Sequence, residues 1–301
     1  MPTMNLSENF GDLLDSRFRK IYTTEYKERI MGNMVPLLYG METSNRAYEM
    51  LSGVGGMSDL QDFDGQVAYD TFAQLYDKTV YFPETALGIK VERKLVDDEQ
   101  FNVMDSKPWQ MAVSVDRTNE KLGASMFNSA FVGTAGPDSL PLCSASHPYS
   151  PDDPTTQSNA GSTAFSAPAV EATRRIGYTS IYNDRGELFE ANYDLILCTV
   201  GNEEAAWELI NSSGKVNTAN NNRNFHEGRY KLAIWHRLTD SNNWFMLDST
   251  LAKKFFQFWT RVKPEFNYDR DFDTMVAKWF VYQRCNVSWS DWRPTYGHNV
   301  T

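Results

Sequence analysis

A cysteine and a histidine lie four residues apart in the segment Leu142-Cys-Ser-Ala-Ser-His-Pro148. A thiol beside an imidazole base is the arrangement of a cysteine nucleophile, and the same pair is half of a zinc site. A closed zinc site needs four ligands, whereas the other cysteines and histidines stand singly, with no paired spacing. We therefore expect Cys143 and His147 to occupy a loop without a catalytic or metal-binding task.

Acidic residues form two further clusters. Asp269, Asp271 and Asp273 match the first ligand positions of a calcium-binding loop. Thr274 stands where that loop requires glycine, and Phe280 stands where it requires a bidentate glutamate, so the match fails. We expect a solvated acidic turn there, and another at residues 97–99 (Asp-Asp-Glu), which follow a predicted strand.

Other motifs of known chemistry are missing from the sequence. It contains no P-loop, no dinucleotide fingerprint after a strand, no Gly-x-Ser-x-Gly elbow and no His-Glu-x-x-His. We predict no catalytic residue, no cofactor and no metal, and a protein that is not an enzyme.

Composition restricts the class of protein further. The 301 residues are 41% hydrophobic, which is enough for a core that needs no disulfides. The formal net charge of -10 is opposite to that of a nucleic-acid binder, which neutralises phosphates with a basic surplus. Three cysteines fit a reducing compartment. The N-terminus lacks the pattern of a signal peptide, and no apolar run approaches the roughly 18 residues of a membrane span.

The first third of the chain predicts two projecting segments. Apolar residues recur at spacings of three and four between residues 5 and 31, which indicates a helix. Alternating residues from Val67 to Phe82, a turn at 83–88 and a further strand to Leu95 predict a hairpin-like arm of about 30 residues. A two-stranded ribbon is marginal alone in water, so the arm needs a sheet or a neighbouring subunit beneath it.

The remaining segments predict an α+β fold. Ser106 can cap a helix that reaches residue 132, and a long polar loop follows at 133–168. The further predicted elements are a helix at 167–182, a strand at 193–200, a helix capped by Asn202, strands at 230–238 and 244–247, a short helix after Asp248 and a terminal strand at 275–289.

Three short motifs, taken in this order of elements, resemble a known family. They are Leu95-Val-Asp-Asp-Glu-Gln100 before the long helix, Leu142-Cys-Ser-Ala-Ser-His-Pro148 with Gln157-Ser-Asn159 after it, and Trp289-Ser-Asp-Trp-Arg-Pro-Thr-Tyr-Gly297 near the end. The chain resembles the major capsid proteins of tailed bacteriophages, and more narrowly the Mu-like major head subunits. The resemblance extends from about residue 8 to residue 298.

The resemblance implies a tailed-phage major capsid fold with four parts. Residues 1–50 would be the N-terminal arm, and 51–165 the extended loop and the peripheral domain with its spine helix at 106–132. Residues 166–265 would be the axial domain, and 266–301 a terminal strand that returns to the peripheral domain.

The resemblance also implies a function, partners and a location. Pentamers and hexamers of such a subunit form an icosahedral shell around double-stranded DNA, without sequence-specific binding. A separate scaffolding protein and a portal are expected, assembly would take place in the bacterial cytoplasm and the product would be the virion. A decoration protein, covalent cross-linking and the capsid size stay open.

Nine residues are expected to contact neighbouring subunits, because they lie on the two projecting segments. They are Phe10, Leu14, Phe18, Tyr69, Leu75, Tyr76, Lys78, Tyr81 and Phe82. Two alternative functions stay open at this stage: the shell of an encapsulin-like nanocompartment, and a cysteine hydrolase that uses Cys143.

Overall fold

Helices and strands alternate along the chain but segregate into layers in space, which is an α+β arrangement. The computed structural model describes residues 8–30, 32–63, 65–67, 69–92, 105–133, 136–215, 222–271 and 276–301. Its helices are α1 (Glu8–Ile30), α2 (Val35–Leu38), α3 (Ser106–Asn128), α4 (Ala167–Thr179), α5 (Glu203–Asn211) and α6 (Ser249–Phe255). Its strands are β1 (Gly40–Thr43), β2 (Tyr48–Val54), β3 (Gln74–Tyr81), β4 (Glu84–Glu92), β5 (His147–Pro148), β6 (Thr156–Gln157), β7 (Ala160–Gly161), β8 (Leu195–Cys198), β9 (Lys231–Ile234), β10 (Trp244–Leu247), β11 (Phe256–Asp271), β12 (Val276–Trp289) and β13 (Thr295–His298).

One sheet has four strands in the order β1-β11-β12-β4. The antiparallel pair β11–β12 forms its centre, with β1 parallel to β11 at one edge and β4 antiparallel to β12 at the other. α1 and α3 pack against this sheet, because Phe18, Met111 and Trp279 share one buried cluster. The rings of Phe18 and Trp279 lie 5.1 Å apart between centroids. The sequence segments around residues 18, 111 and 279 therefore meet in one core.

The other large sheet has five strands in the order β7-β13-β10-β8-β9. Every residue of β8 is buried, as its continuous apolar run predicts. β8 and β9 are parallel, and the connection between them contains α5, because parallel neighbours need a crossover. α4 and α5 share with this sheet a second cluster, which includes Val170, Ala206 and Trp244.

The hairpin predicted at residues 67–95 is wrong in its pairing. β3 pairs with β2, the strand before it, and places Tyr48 opposite Tyr81. β4 pairs along its length with β12 in the four-stranded sheet, so residues 84–88 lie in a strand rather than in a turn. The projecting ribbon is therefore residues 48–81, which we call the arm, and residues 55–73 form its tip.

Several element ends also differ from the prediction. The long helix ends at Asn128, and the following turn reaches Gly133, whose φ of 90° favours glycine. Ser106 is the first helical residue rather than the cap. Asn202 occupies the cap position of α5, but its side chain makes no capping hydrogen bond and donates to the Asn242 carbonyl at 3.1 Å.

The largest omission of the prediction is β11, a strand of 16 residues. Asp269 and Asp271 belong to it, so they do not form the predicted acidic turn, and Asp273 lies outside the described residues. After β12 the chain crosses to the five-stranded sheet, where β13 pairs with β10. The last segment thus joins the sheet of the expected axial domain, although residues 266–301 were assigned to the peripheral domain.

Candidate functional site

The thiol of Cys143 lies in the hydrophobic core, not in a cleft. The residue is 2% exposed and its backbone N–H donates to the Ala130 carbonyl at 2.7 Å. Gly297 passes so close that a Cβ there would lie 2.7 Å from Sγ. Burial raises the pKa of the Cys143 thiol well above its usual value. A thiol that stays protonated at neutral pH is a poor nucleophile.

The imidazole of His147 is occupied by other partners. Its Nδ1 lies 2.5 Å from Oδ2 of Asp138, and its ring stacks on Trp292 with centroids 4.3 Å apart. In the described part of the chain no hydrogen bond joins His147 to Cys143, so a nucleophile–base pair is not formed. Nor do the described ranges contain three histidine, cysteine or acidic side chains grouped as a metal site.

Asn159 gives the segment around Cys143 a structural role. Its amide donates to the carbonyls of Leu142 at 2.9 Å and Thr295 at 3.1 Å, and its oxygen accepts from the N–H of Ser144. Asn159 is fully buried, so these bonds are shielded from water. The polar loop is therefore fixed to β13 rather than open to a substrate.

The arm is the most exposed apolar surface of the described chain. It contributes ten of the 21 large hydrophobic side chains that are exposed among the described residues. They are Tyr48, Met50, Val54, Met57, Leu60, Phe63, Val67, Tyr69, Phe72 and Tyr81. In β2 the outward positions alternate with half-buried ones, so Tyr48, Met50 and Val54 share one face. Contiguous apolar patches of this kind mark interaction surfaces.

A turn of the body holds the tip of the arm. Arg185 donates from Nε to the Gly56 carbonyl at 2.8 Å and from Nη2 to the Thr71 carbonyl at 2.7 Å. The same guanidinium pairs with Asp70 at 3.0 Å, and Asp184 accepts from the Gly56 N–H at 3.0 Å. We call Asp184 and Arg185 the latch, because they bond the segments of the tip that follow β2 and precede β3.

A cavity of about 360 Å³ lies between the body and the end of the ribbon next to the tip. Leu75 and Tyr76 line it from the arm, and Trp289 lines it from β12. Lys78 places its ammonium 5.0 Å from the Trp289 ring centroid, and burial lowers the pKa of Lys78 to about 8. Asp138 opposes this shift, so the lysine is partly desolvated but faces a carboxylate.

The nine residues expected to make subunit contacts are placed differently from one another. Phe18 and Phe82 are buried within their own chain, and Leu75, Tyr76 and Lys78 are half-buried in the ribbon between the tip and Tyr81. Tyr69 and Tyr81 are exposed, at 94% and 66%. The side-chain surroundings of Phe10 and Leu14 lie outside what the structure describes, as do residues 97–99.

Sequence reasoning missed the remaining exposed residues of the arm. Tyr48 and Met50 flank Glu49, which is a short strand signal, but the glycines that follow suggested a break. Leu60 and Phe63 stand in a glycine-rich stretch with no periodicity.

The long helix over one sheet, the projecting ribbon and the second α/β layer define the fold of tailed-phage major capsid proteins. The procapsid protein of bacteriophage JBD30 superposes with a TM-score of 0.58 at 14% identity, over 98% of this chain and 77% of that one. The capsid protein of cyanophage P-SCSP1u gives 0.58 at 10% identity, over 90% and 88%. The virus-like particle from Pyrococcus furiosus gives 0.56 at 7% identity, over 94% and 98%. At such identities the likeness establishes the fold alone.

The sequence itself carries the family assignment. The family model described as phage capsid protein matches residues 76–296, which is more than half of the chain. No curated protein sequence matches the chain significantly. The chain belongs to the phage capsid protein family, and it is a major capsid protein, a structural component of the virion. None of the helices in the described ranges has the length and apolarity that a membrane crossing requires.

Proposed function

We propose that this capsid protein is a head subunit of the Mu-like kind, which forms the pentamers and hexamers of an icosahedral shell around double-stranded DNA. The three short motifs near residues 95, 142 and 289 support the Mu-like assignment. The net charge of -10 supports a container wall that does not immobilise the genome. The proposed parts change in two places: the extended loop is residues 48–81, and β13 joins the sheet of the axial domain.

One observation carries this proposal: the arm exposes apolar side chains that its own subunit leaves uncovered. Burying one large apolar side chain contributes about 1.5–3 kcal/mol, so burying several on a neighbour supplies a strong driving force for association. Tyr69 and Tyr81 lie on this surface, together with Leu60 and Phe63. The arm of one subunit therefore lies over the next subunit, because its own subunit leaves its apolar side chains exposed.

The other partners follow from the same assignment. A separate scaffolding protein directs assembly in the bacterial cytoplasm, a portal occupies one vertex, and the shell has no enzymatic activity of its own. The half-buried Lys78 helps to hold the arm against the body of its own subunit, because its charge faces Asp138 and Trp289.

Removing the tip tests the role of the arm. Residues 57–72 are replaced by a single glycine, which forms with Gly56 a two-residue turn between Gly55 and Ala73, since the Gly55 N–H already donates to the Ala73 carbonyl at 2.8 Å. The shortened subunit should fold and stay soluble but form no stable closed shells in electron microscopy and sedimentation. Shells of normal stability after this deletion would contradict the proposed function.

The matched control is Cys143→Ala, which changes a buried residue far from the arm in sequence. It removes one sulfur from the core, so shells should still form. The same variant tests the cysteine hydrolase, because loss of a measurable hydrolytic activity on this change would favour that alternative.

A further inference from the structure

The outward side of α5 forms an exposed acidic surface. Glu203, Glu204, Trp207 and Glu208 are all exposed, Trp207 at 60%. No basic residue occurs between residues 200 and 211. The first two glutamates stabilise the helix N-terminus, but Trp207 and Glu208 lie beyond the first turn and need another explanation.

An arginine surface lies on α4 and on residues 222–229. It consists of Arg174, Arg175, Arg223, Phe225 and Arg229. The guanidinium of Arg229 lies 3.8 Å from the Phe225 ring centroid and that of Arg174 lies 5.4 Å away, yet Phe225 stays 46% exposed. Glu171 and Glu227 offset part of this charge, so the surface keeps a positive surplus.

The acidic surface runs along α5 from Glu203 to Glu208, and the arginine surface begins beside the C-terminal end of the same helix. At its C-terminal end, Asn224 donates to the carbonyls of Leu209 at 2.6 Å and Ser212 at 2.9 Å, which fixes the arginine surface there. At its N-terminal end, Asn202 bonds to the Asn242 carbonyl in the turn at 239–243. A helix of nine residues spans about 13 Å. No ion pair of the described residues joins the two surfaces.

We propose that the acidic surface of one subunit docks on the arginine surface of a second copy of this chain, head to tail, within the rings. This inference rests on the proposed function and names the contact that closes a ring. Two different patches on one chain make a heterologous interface, which closes into a ring when the rotation allows. Opposite charges orient the two copies, and Trp207 meets arginine and Phe225 side chains, to which an indole binds through its ring face.

Charge exchange tests the contact in the full-length protein. E204R/E208R makes both surfaces basic, and R223E/R229E makes both acidic. Like charges then face each other, so each double variant should raise the protein concentration needed for rings and shells about tenfold or more. The variant with all four changes should assemble at nearly the wild-type concentration. Sedimentation velocity and negative-stain electron microscopy, over a series of protein and NaCl concentrations, measure the result.

The design contains its own control for total charge. Each Glu→Arg change raises the net charge by two and each Arg→Glu change lowers it by two, so the double variants shift it in opposite directions and the fourfold variant keeps -10. Because the four residues are exposed, the melting temperature of the unassembled subunits should stay unchanged, which shows that they are folded.

Two outcomes would overturn the inference: double variants that assemble like the wild type, or a folded fourfold variant that is not restored. Absence of rings and shells from the wild-type protein, assembled together with its scaffolding protein, is a distinguishable result, since it would contradict the proposed function and the inference together.

Discussion

His298 is a neutral, buried histidine at the end of β13. Its ring stacks on Trp244 with centroids 4.0 Å apart. Nε2 lies 2.8 Å from the Thr173 hydroxyl, which itself donates to the Ala169 carbonyl, and Nδ1 accepts from the Thr163 N–H. These partners suit an imidazole with its single proton on Nε2, because a proton on Nδ1 would face another N–H. Burial lowers the pKa of His298 to about 4.

This histidine gives folding a defined pH dependence. Its folded pKa lies below its unfolded value of 6.5, so its contribution is complete above pH 6.5 and is lost as the pH falls toward 4. The free energy of unfolding should fall by about 2 kcal/mol between pH 7.5 and pH 5 from this group. Urea unfolding of the tip-deleted subunit measures it. The His298→Gln variant should be less stable at pH 7.5, and its free energy of unfolding should change less between pH 7.5 and pH 5. An equal dependence of this free energy on pH in both proteins would contradict the assignment.

At the scale of elements, the arm and the latch have opposing tendencies. The tip exposes Phe63, Tyr69 and Phe72, which favours contact with a neighbour. Asp184 and Arg185 bond the backbone of the same tip to the body of its own subunit. The latch therefore orders an apolar segment before a neighbour covers it.

Arg185→Ala should release the tip without unfolding the body. The change removes two hydrogen bonds to carbonyls and the ion pair with Asp70, each contributing about 1 kcal/mol, so the open tip should be about tenfold or more populated. Chymotrypsin, which cleaves after exposed aromatic residues, should cut the unassembled subunit faster at the tip. Arg175→Ala is the matched control, because it removes an exposed arginine from α4. Equal cleavage rates in the two variants would show that the latch does not order the tip.

At the scale of the whole molecule, folding and assembly use different surfaces. Phe127 of α3 contacts Phe245 of the five-stranded sheet and Phe256 of the four-stranded sheet, with centroids 5.3 and 6.2 Å apart. One hydrophobic cluster thus joins both sheets inside the subunit. Most apolar side chains of the arm lie outside this cluster and are exposed. The subunit can fold first and bury its arm afterwards.

Assembly should therefore raise the thermal stability of the subunit. Binding that occurs only in the native state shifts unfolding to higher temperature by mass action. In calorimetry, intact shells should melt above the unassembled wild-type subunit, and the tip-deleted subunit should melt with the unassembled protein. Coincident transitions for shells and free subunits would contradict this expectation.

Elements with strong local signals were predicted closely. The strand at 244–247 coincides with β10, and Asp248 caps α6 by accepting from the N–H groups of Thr250 and Leu251. β11 escaped prediction because Pro264 and several charges interrupt its pattern, and two irregularities shift its register against β12. The pairing of β4 with β12 joins segments about 190 residues apart, which no local pattern can indicate.

Glu120 shows the same limit for one side chain. Its neighbours Asn119 and Lys121 place it on the polar stripe of the helix, yet its carboxylate is buried and accepts from the Val35 N–H at 3.1 Å and the Trp235 indole N–H at 2.8 Å. Burial raises the pKa of Glu120, and these two donors oppose that shift. A helical period separates two faces but does not reveal that α2 and the end of β9 cover the polar one.

The sequence by itself determined the class of protein: an acidic, cysteine-poor α+β chain without catalytic motifs and with the ordered motifs of a capsid family. Local periodicity and composition suffice for the α+β class and the missing catalytic motifs, because they reflect short-range propensities and the absence of particular side chains. The capsid family rests instead on the resemblance of the three motifs and on the family match. The tertiary structure alone decided that Cys143 is a core residue, that the arm begins at residue 48, and that an acidic surface along α5 lies next to an arginine surface. Those properties depend on which distant segments pack together, and burial, pairing and surface charge are set by that packing.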